Sequence, residues 1–162
     1  MWTVPRYGTV RWYALIKWRK AELKKKLPDG KLSPHFRYQE FATRDGTPIP
    51  VKAIPALKRH CQVYLEPMRE KFGPCHILSA YRHQHYNRSI GGASNSFHIY
   101  DDHPGAPATD LSFVSGTPAD WYAEAKRIRD KIDGGKGGIG YYPRMGFVHV
   151  DRRPYRADWS GK

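Results

Sequence analysis

The order of segments along the chain predicts an α+β fold, a small and mostly antiparallel sheet packed with helices. Three observations carry this. Residues 12–27 and 55–72 repeat apolar side chains at helical spacing. Residues 76–81, 108–114, 137–142 and 147–151 are short, apolar or alternating, and bounded by turn residues, as strands are. A single helix, opened by Thr117-Pro118, falls between the second and third of these strands.

Taken in order, residues 12–27 form the first helix, with Trp12, Leu15, Ile16, Leu23 and Leu27 on an apolar face interrupted by Arg19 and Lys20. Lys24, Lys25 and Lys26 complement the dipole at its C-terminus, and Pro28-Asp29-Gly30 ends it. Residues 32–49 read as loop, with a turn at Asp45-Gly46. In 55–72, Leu57, Cys61, Leu65, Met68 and Phe72 form a buried stripe, and Pro67 inside the helix should kink it. Residues 76–81 are a strand with Arg82 at its end, and residues 83–96 are a long loop containing Gly91-Gly92. Trp121, Ala125, Ile128 and Ile132 line the buried face of the last helix, which Gly134-Gly135 stops. The turn around Pro143 and Gly146 joins the last two strands.

A chain of 162 residues, 40% hydrophobic and 14% aromatic, makes one globular domain with its own core and excludes a disordered chain. No apolar run approaches the roughly 20 residues of a membrane span. The N-terminal stretch has neither an apolar h-region nor a small-residue cleavage site, so no Sec-type signal peptide is expected. The formal charge is +13, and residues 1–30 hold eight Lys/Arg against Glu22 and Asp29, a local +6 (8 minus 2). That balance points to an anionic partner or to a solubilising surface. The two cysteines, Cys61 and Cys75, are expected to be unbridged thiols, and without a CxxC pair a cysteine zinc ribbon is excluded.

Chemistry concentrates in SNSFHIYDDHPGAPATD, residues 94–110, and in FVHVD, residues 147–151. Alternation in the latter puts Phe147, His149 and Asp151 on one face and Val148 and Val150 on the other. Asp110, among apolar strand neighbours, needs a partner or a metal to offset its desolvation. Two histidines and an aspartate are the donor set of a catalytic zinc site with one open position.

The run SAYRHQHYNRSIGGASNSFH, the following A-T-D and the later GGIGYYPRMGFVHVD resemble the zinc D-Ala-D-Ala carboxypeptidase-like peptidases of bacteria and phages. These cut peptide bonds in peptidoglycan and share their fold with the hedgehog signalling domain. The resemblance runs from about Leu32 to Trp159 and includes LSPHFRYQEF and YLEPMREKFG. It implies a basic N-terminal helical extension at 1–30 and a zinc peptidase domain at 31–162. It implies one zinc ion held by His98, Asp110 and His149, and Arg82 gripping a substrate carboxylate or carbonyl. Ser96 would support a ligand or bind substrate, and Asn87 would brace the loop. Tyr100, Tyr141, Tyr142 and Trp159 are the aromatics available to the cleft.

The sequence departs from the family pattern twice. The first His and the Asp of that pattern stand seven positions apart. Here His103 has that spacing to Asp110, whereas His98 has the matching G-A-S-N-S-F-H context. We read His98 as the ligand, with His103 on an inserted loop beside the cleft, touching substrate. The second departure removes the usual acid or base just before the distal His, because those positions are Gly146 and Phe147. Asp151 then stands as general base, as orienting partner of His149, or as a structural partner of Arg152 or Arg153.

The resulting expectation is a monomeric zinc peptidase acting on peptidoglycan, with anionic wall polymers as further partners. It would be a phage lysin made in the host cytoplasm, or a virion component. The alternatives are a basic nucleic-acid-binding module and an inactive metal-binding domain on the same fold. Against the first, no helix-turn-helix, zinc finger or aromatic RNA-binding motif appears, so no specific nucleic acid is expected. The scissile bond stays open between terminal D-Ala–D-Ala and several stem or cross-link bonds.

Overall fold

A computed structural model describes residues 6–132 and 134–161. The first five positions of the expected N-terminal extension, and Asp133 and Lys162, lie outside the described residues.

Helix α1 (Val10–Lys26) starts two residues before its expected first turn, because the Thr9 hydroxyl accepts from the Trp12 N–H. Its inner face buries Trp12, Leu23 and also Arg19. The arginine expected to interrupt the apolar face is thus part of what the helix buries. Arg19 Nη2 donates to Asp101 Oδ1 at 2.5 Å and Nη1 to the Tyr81 hydroxyl at 2.9 Å. Burial opposes the charge, and Tyr81 and Asp101 outweigh it and hold the guanidinium protonated. Leu23 and Leu27 join the core of the domain.

The stripe at 54–72 forms α2 (Ile54–His60), a π turn (Cys61–Leu65) and α3 (Glu66–Phe72). The Glu66 N–H reaches back to the Cys61 carbonyl, five residues away. Pro67 has no N–H to give and crowds the preceding turn, and the widened turn accommodates both defects. Cys61 and Cys75 are free thiols. Burial pushes the Cys75 thiol up to about 12 and the Cys61 thiol higher still, so neither is a ready nucleophile.

Strand β1 (Cys75–Ser79) is followed by α4 (Gln84–Ser89), a short helix where a continuous loop was expected. The His83 Nδ1 caps it by accepting the Tyr86 N–H. Then come β2 (Ala108–Phe113), α5 (Pro118–Ile132), β3 (Gly137–Tyr142), β4 (Phe147–Asp151) and β5 (Arg156–Ser160). Thr117 and Asp120 close a reciprocal cap on α5. The final strand β5 was not expected.

The sheet order is β1-β2-β4-β3-β5, antiparallel throughout except for the parallel pair β3–β5. The helices cover one face. Leu111, Ile139, Val148 and Val150 point into them and meet Trp121, Ala125 and Ile128 of α5. The other face carries one row of register partners across all five strands: Ser79, Asp110, His149, Gly140 and Trp159. Among the described residues no helix is long and apolar enough to cross a membrane.

Candidate metal centre

Asp110 and His149 meet because they are direct register partners on β2 and β4. His98 arrives from the segment before β2, which is anchored to the chain just after β1 by the Arg82 N–H donating to the His98 carbonyl at 2.9 Å. Three donor atoms converge. His98 Nε2 lies 3.3 Å from Asp110 Oδ1 and 3.3 Å from His149 Nδ1, and the last two atoms are 2.9 Å apart. Tetrahedral bonds of zinc length, ~2.0–2.2 Å, require ligand atoms about 3.3–3.6 Å apart. The three residues are all buried, and they are the group among the described residues whose donors could hold a metal ion.

The remote ring nitrogens explain why these lone pairs face one another. His98 Nδ1 is 2.6 Å from the Ala80 carbonyl oxygen, which can only accept, so Nδ1 carries the proton and Nε2 is left to coordinate. His149 Nε2 is 2.9 Å from Asp151 Oδ2, which can take the Nε2 proton and leave Nδ1 to coordinate. In the metal-free chain, burial lowers the basicity of His98. Burial also opposes charge on His149, but its bonds to Asp110 and Asp151 prevail and hold it at about 9. Asp110 is driven well below the carboxylate range: burial would raise it, and His98 and His149 more than reverse that.

The centre opens on a cleft of about 450 Å³ walled by Phe97, Tyr142, Met145, Phe147, Tyr155 and Trp159. Arg82 lines it too, its Nε donating to Ser79 Oγ at 2.8 Å and its Nη2 to Asp110 Oδ2 at 3.1 Å. Ser96 lines the cleft and accepts the His98 N–H. His103 stands apart from the donor atoms. Its ring stacks on Phe97 at 4.3 Å and its Nε2 meets Asn95 Oδ1 at 3.0 Å. Asn87 is buried and donates to the Ala93 carbonyl, which pins the segment ahead of Ser96.

Asp151 shares the face of His149 but does not line the cleft. It is fully buried behind the imidazole, its oxygens engaged by His149, by the Gly138 N–H and by Arg153. Asp110 is the one carboxylate among the residues of the cleft wall. Of the four aromatics named from sequence, Tyr142 and Trp159 line the cleft. Tyr100 is core, its hydroxyl on the Ala108 carbonyl, and Tyr141 packs on Tyr122. Sequence reasoning passed over Phe97 and Tyr155, and it named Arg153 as a possible partner of Asp151 without placing it on the cleft. A signal for Arg153 was present in Gly138 and Gly140, which alternate along one face of β3, as where another group lies against a strand.

A family model described as Peptidase M15 matches residues 34–151, a stretch that contains all three donor residues and Asp151. The chain belongs to the peptidase M15 family. Comparison with curated proteins and with solved structures gave no match. The α+β architecture with its mostly antiparallel sheet is that of an M15 peptidase, and the match covers the whole of the sheet except β5.

Proposed function

We propose that this M15 peptidase is a zinc metallopeptidase that hydrolyses a peptide bond in the stem peptides or cross-links of bacterial peptidoglycan, in the role of a phage lysin. The observation that carries the reading is the convergence of His98 Nε2, Asp110 Oδ1 and His149 Nδ1 at 2.9–3.3 Å. Two imidazoles and a carboxylate on an open cleft suit zinc and leave a coordination position free. When bound, zinc supplies a Lewis acid for the scissile carbonyl and acidifies a water beside it.

The side chains of the chain do the positioning. Arg82 holds Asp110 through one nitrogen and keeps further N–H donors for a substrate carbonyl or carboxylate. Tyr142 accepts the Trp159 N–H at 2.8 Å, which leaves its own hydroxyl proton to donate into the cleft, toward an oxygen that gains charge. Asp151, off the cleft wall, orients His149 and does not take the proton of the water. The aromatic walls strip water from the peptide and hold it against the centre. Ser96 and His103 flank the cleft from residues 95–103 and would meet substrate there.

The basic helix adds a second contact. Arg11, Lys17, Lys20, Lys24 and Lys25 are exposed on α1, with Tyr13 and Trp18 beside them. This face fits anionic wall polymers, and the buried Arg19 and Leu23 fix it rigidly to the peptidase domain.

Mass spectrometry of purified peptidoglycan incubated with the protein tests the main reading. New termini that vanish with a metal chelator and return with zinc are expected, and they identify the bond. Intact wall across several peptide chemistries, despite zinc bound at His98 and His149, would leave an inactive metal-binding domain instead.

A further inference from the structure

His149 lies between two carboxylates. Asp110 Oδ1 is 2.9 Å from Nδ1 and Asp151 Oδ2 is 2.9 Å from Nε2. The carboxylate that takes the ring N–H decides whether the centre presents a lone pair or a proton. Each of the two is held by an arginine, Arg82 on Asp110 and Arg153 on Asp151.

Arg153 is held unusually firmly. Its backbone N–H and its Nε each donate to Asp151 Oδ1 at 2.9 Å, and Nη2 donates to Oδ2 at 2.5 Å. Three rings enclose the same guanidinium, with Cζ 4.5 Å from the centre of Phe97, 4.9 Å from Trp159 and 5.5 Å from Tyr155. Strand β3 is cut away to admit the assembly. A Cβ on Gly138 would fall 2.5 Å from both Arg153 Nε and Asp151 Oδ2, and one on Gly140 would fall 2.7 Å from the Trp159 indole. The same indole packs on the His149 ring, 5.0 Å between centres. A fully buried carboxylate such as Asp151 is costly without a compensating charge. With Nδ1 on an ion, His149 is a neutral imidazole and does not supply one, and the forked guanidinium does.

We propose that Arg153 is a positioning residue of the metal centre: caged by Phe97, Tyr155 and Trp159, it holds the Asp151 carboxylate against His149 Nε2 and thereby turns His149 Nδ1 to the ion. The inference rests on the metallopeptidase reading for its ion. It adds a support that begins on the cleft wall, at rings a substrate would touch, and ends on a ligand.

The test is equilibrium competition for zinc against a chelator of known affinity, on the full chain and on Arg153→Gln, Arg153→Lys and Gly138→Ala. It is paired with nitrogen NMR of the histidine rings in the zinc-loaded proteins. Arg153→Gln should bind zinc ~10–100-fold more weakly, the range for loss of an outer partner. His149 should change from one species with a bound Nδ1 and a protonated Nε2 to a mixture. Arg153→Lys keeps the charge without the fork and should fall between. Gly138→Ala leaves Arg153 in the chain but wedges the pair apart, and should weaken zinc binding as well. Unchanged affinity in Arg153→Gln overturns the proposal, and so does a loss of affinity with the His149 signals unaltered. If the unmodified chain binds no zinc, the metallopeptidase reading falls and takes this inference with it. If it binds zinc through His149 Nδ1 yet cuts no wall peptide, only the substrate reading falls, and the affinity ratios still decide the role of Arg153.

Discussion

His98 and His103 are five positions apart and chemically alike, but their surroundings assign them different work. His98 has its Nδ1 proton committed to the Ala80 carbonyl and its other nitrogen aimed at Asp110 and His149. His103 rests on Phe97, a residue of the cleft wall. Removing one of three ligands should abolish stoichiometric zinc, so His98→Ala should purify without metal, whereas His103→Ala should retain one ion per chain. Metal analysis of the two variants checks this, and the reverse pattern would move the ligand to His103. The sequence offered the choice but not its geometry. Spacing to Asp110 pointed to His103, local context pointed to His98, and the structure brings only His98 to the donor group. Asp151 was legible as a neighbour of His149 from strand alternation alone. Its burial was not, because that follows from Arg153 folding back on it and from a glycine on the adjacent strand.

At the scale of elements, α5 is tied to α3 by a carboxylate. Glu124 is 4% exposed and accepts Arg127 Nη2 at 2.5 Å and Lys71 Nζ at 2.6 Å. The Arg127 bond, opposed by burial and aided by Lys71, lowers its pKa from 4.5 to about 2. A depressed carboxyl means that the unfolded chain binds the proton more readily. The link therefore contributes in full above pH ~4.5 and is lost as pH falls through about 2. Glu124→Gln should lower stability at neutral pH by on the order of 1–2 kcal/mol, since both cations are more than half exposed and screened, and should flatten the loss between pH ~4.5 and 2. Urea unfolding at a series of pH values measures both. Long elements such as α1 and α5 were readable because several turns repeat one pattern. The six residues of α4 are too few to show a period, and a histidine cap carries little signal. Strand β5 reads as polar because it is an edge strand whose Arg156, Asp158 and Ser160 stay exposed. Pro67 was seen as a kink, and the π turn that absorbs it depends on packing around Cys61–Leu65 that no local pattern reveals.

Over the whole molecule, α1 presents two different faces. The inner one is bound to the domain through Leu23, Leu27 and the buried Arg19–Asp101 pair. The outer one is cationic, and the charge of +13 is visible in any reading of the composition. The docking of α1 was not visible, because a buried arginine and an exposed one look alike until Asp101 and Tyr81 are seen beside it. Reversing Arg11, Lys17 and Lys20 to Glu alters exposed positions away from the last turn of the helix. This triple variant should keep its melting temperature and its turnover on a small soluble peptide, yet sediment far less with intact walls at low salt. Equal sedimentation of both forms would remove the wall-polymer contact. The register that sets Asp110 opposite His149 bears on durability as well. An ion there would stitch neighbouring strands at the centre of the sheet, joining positions 39 residues apart, and through His98 a second pair 51 residues apart. Because those ligands converge only in the folded chain, the binding free energy of the ion adds to the stability of the fold. A molecule starved of its ion would then be easier to pull open and digest, as well as idle.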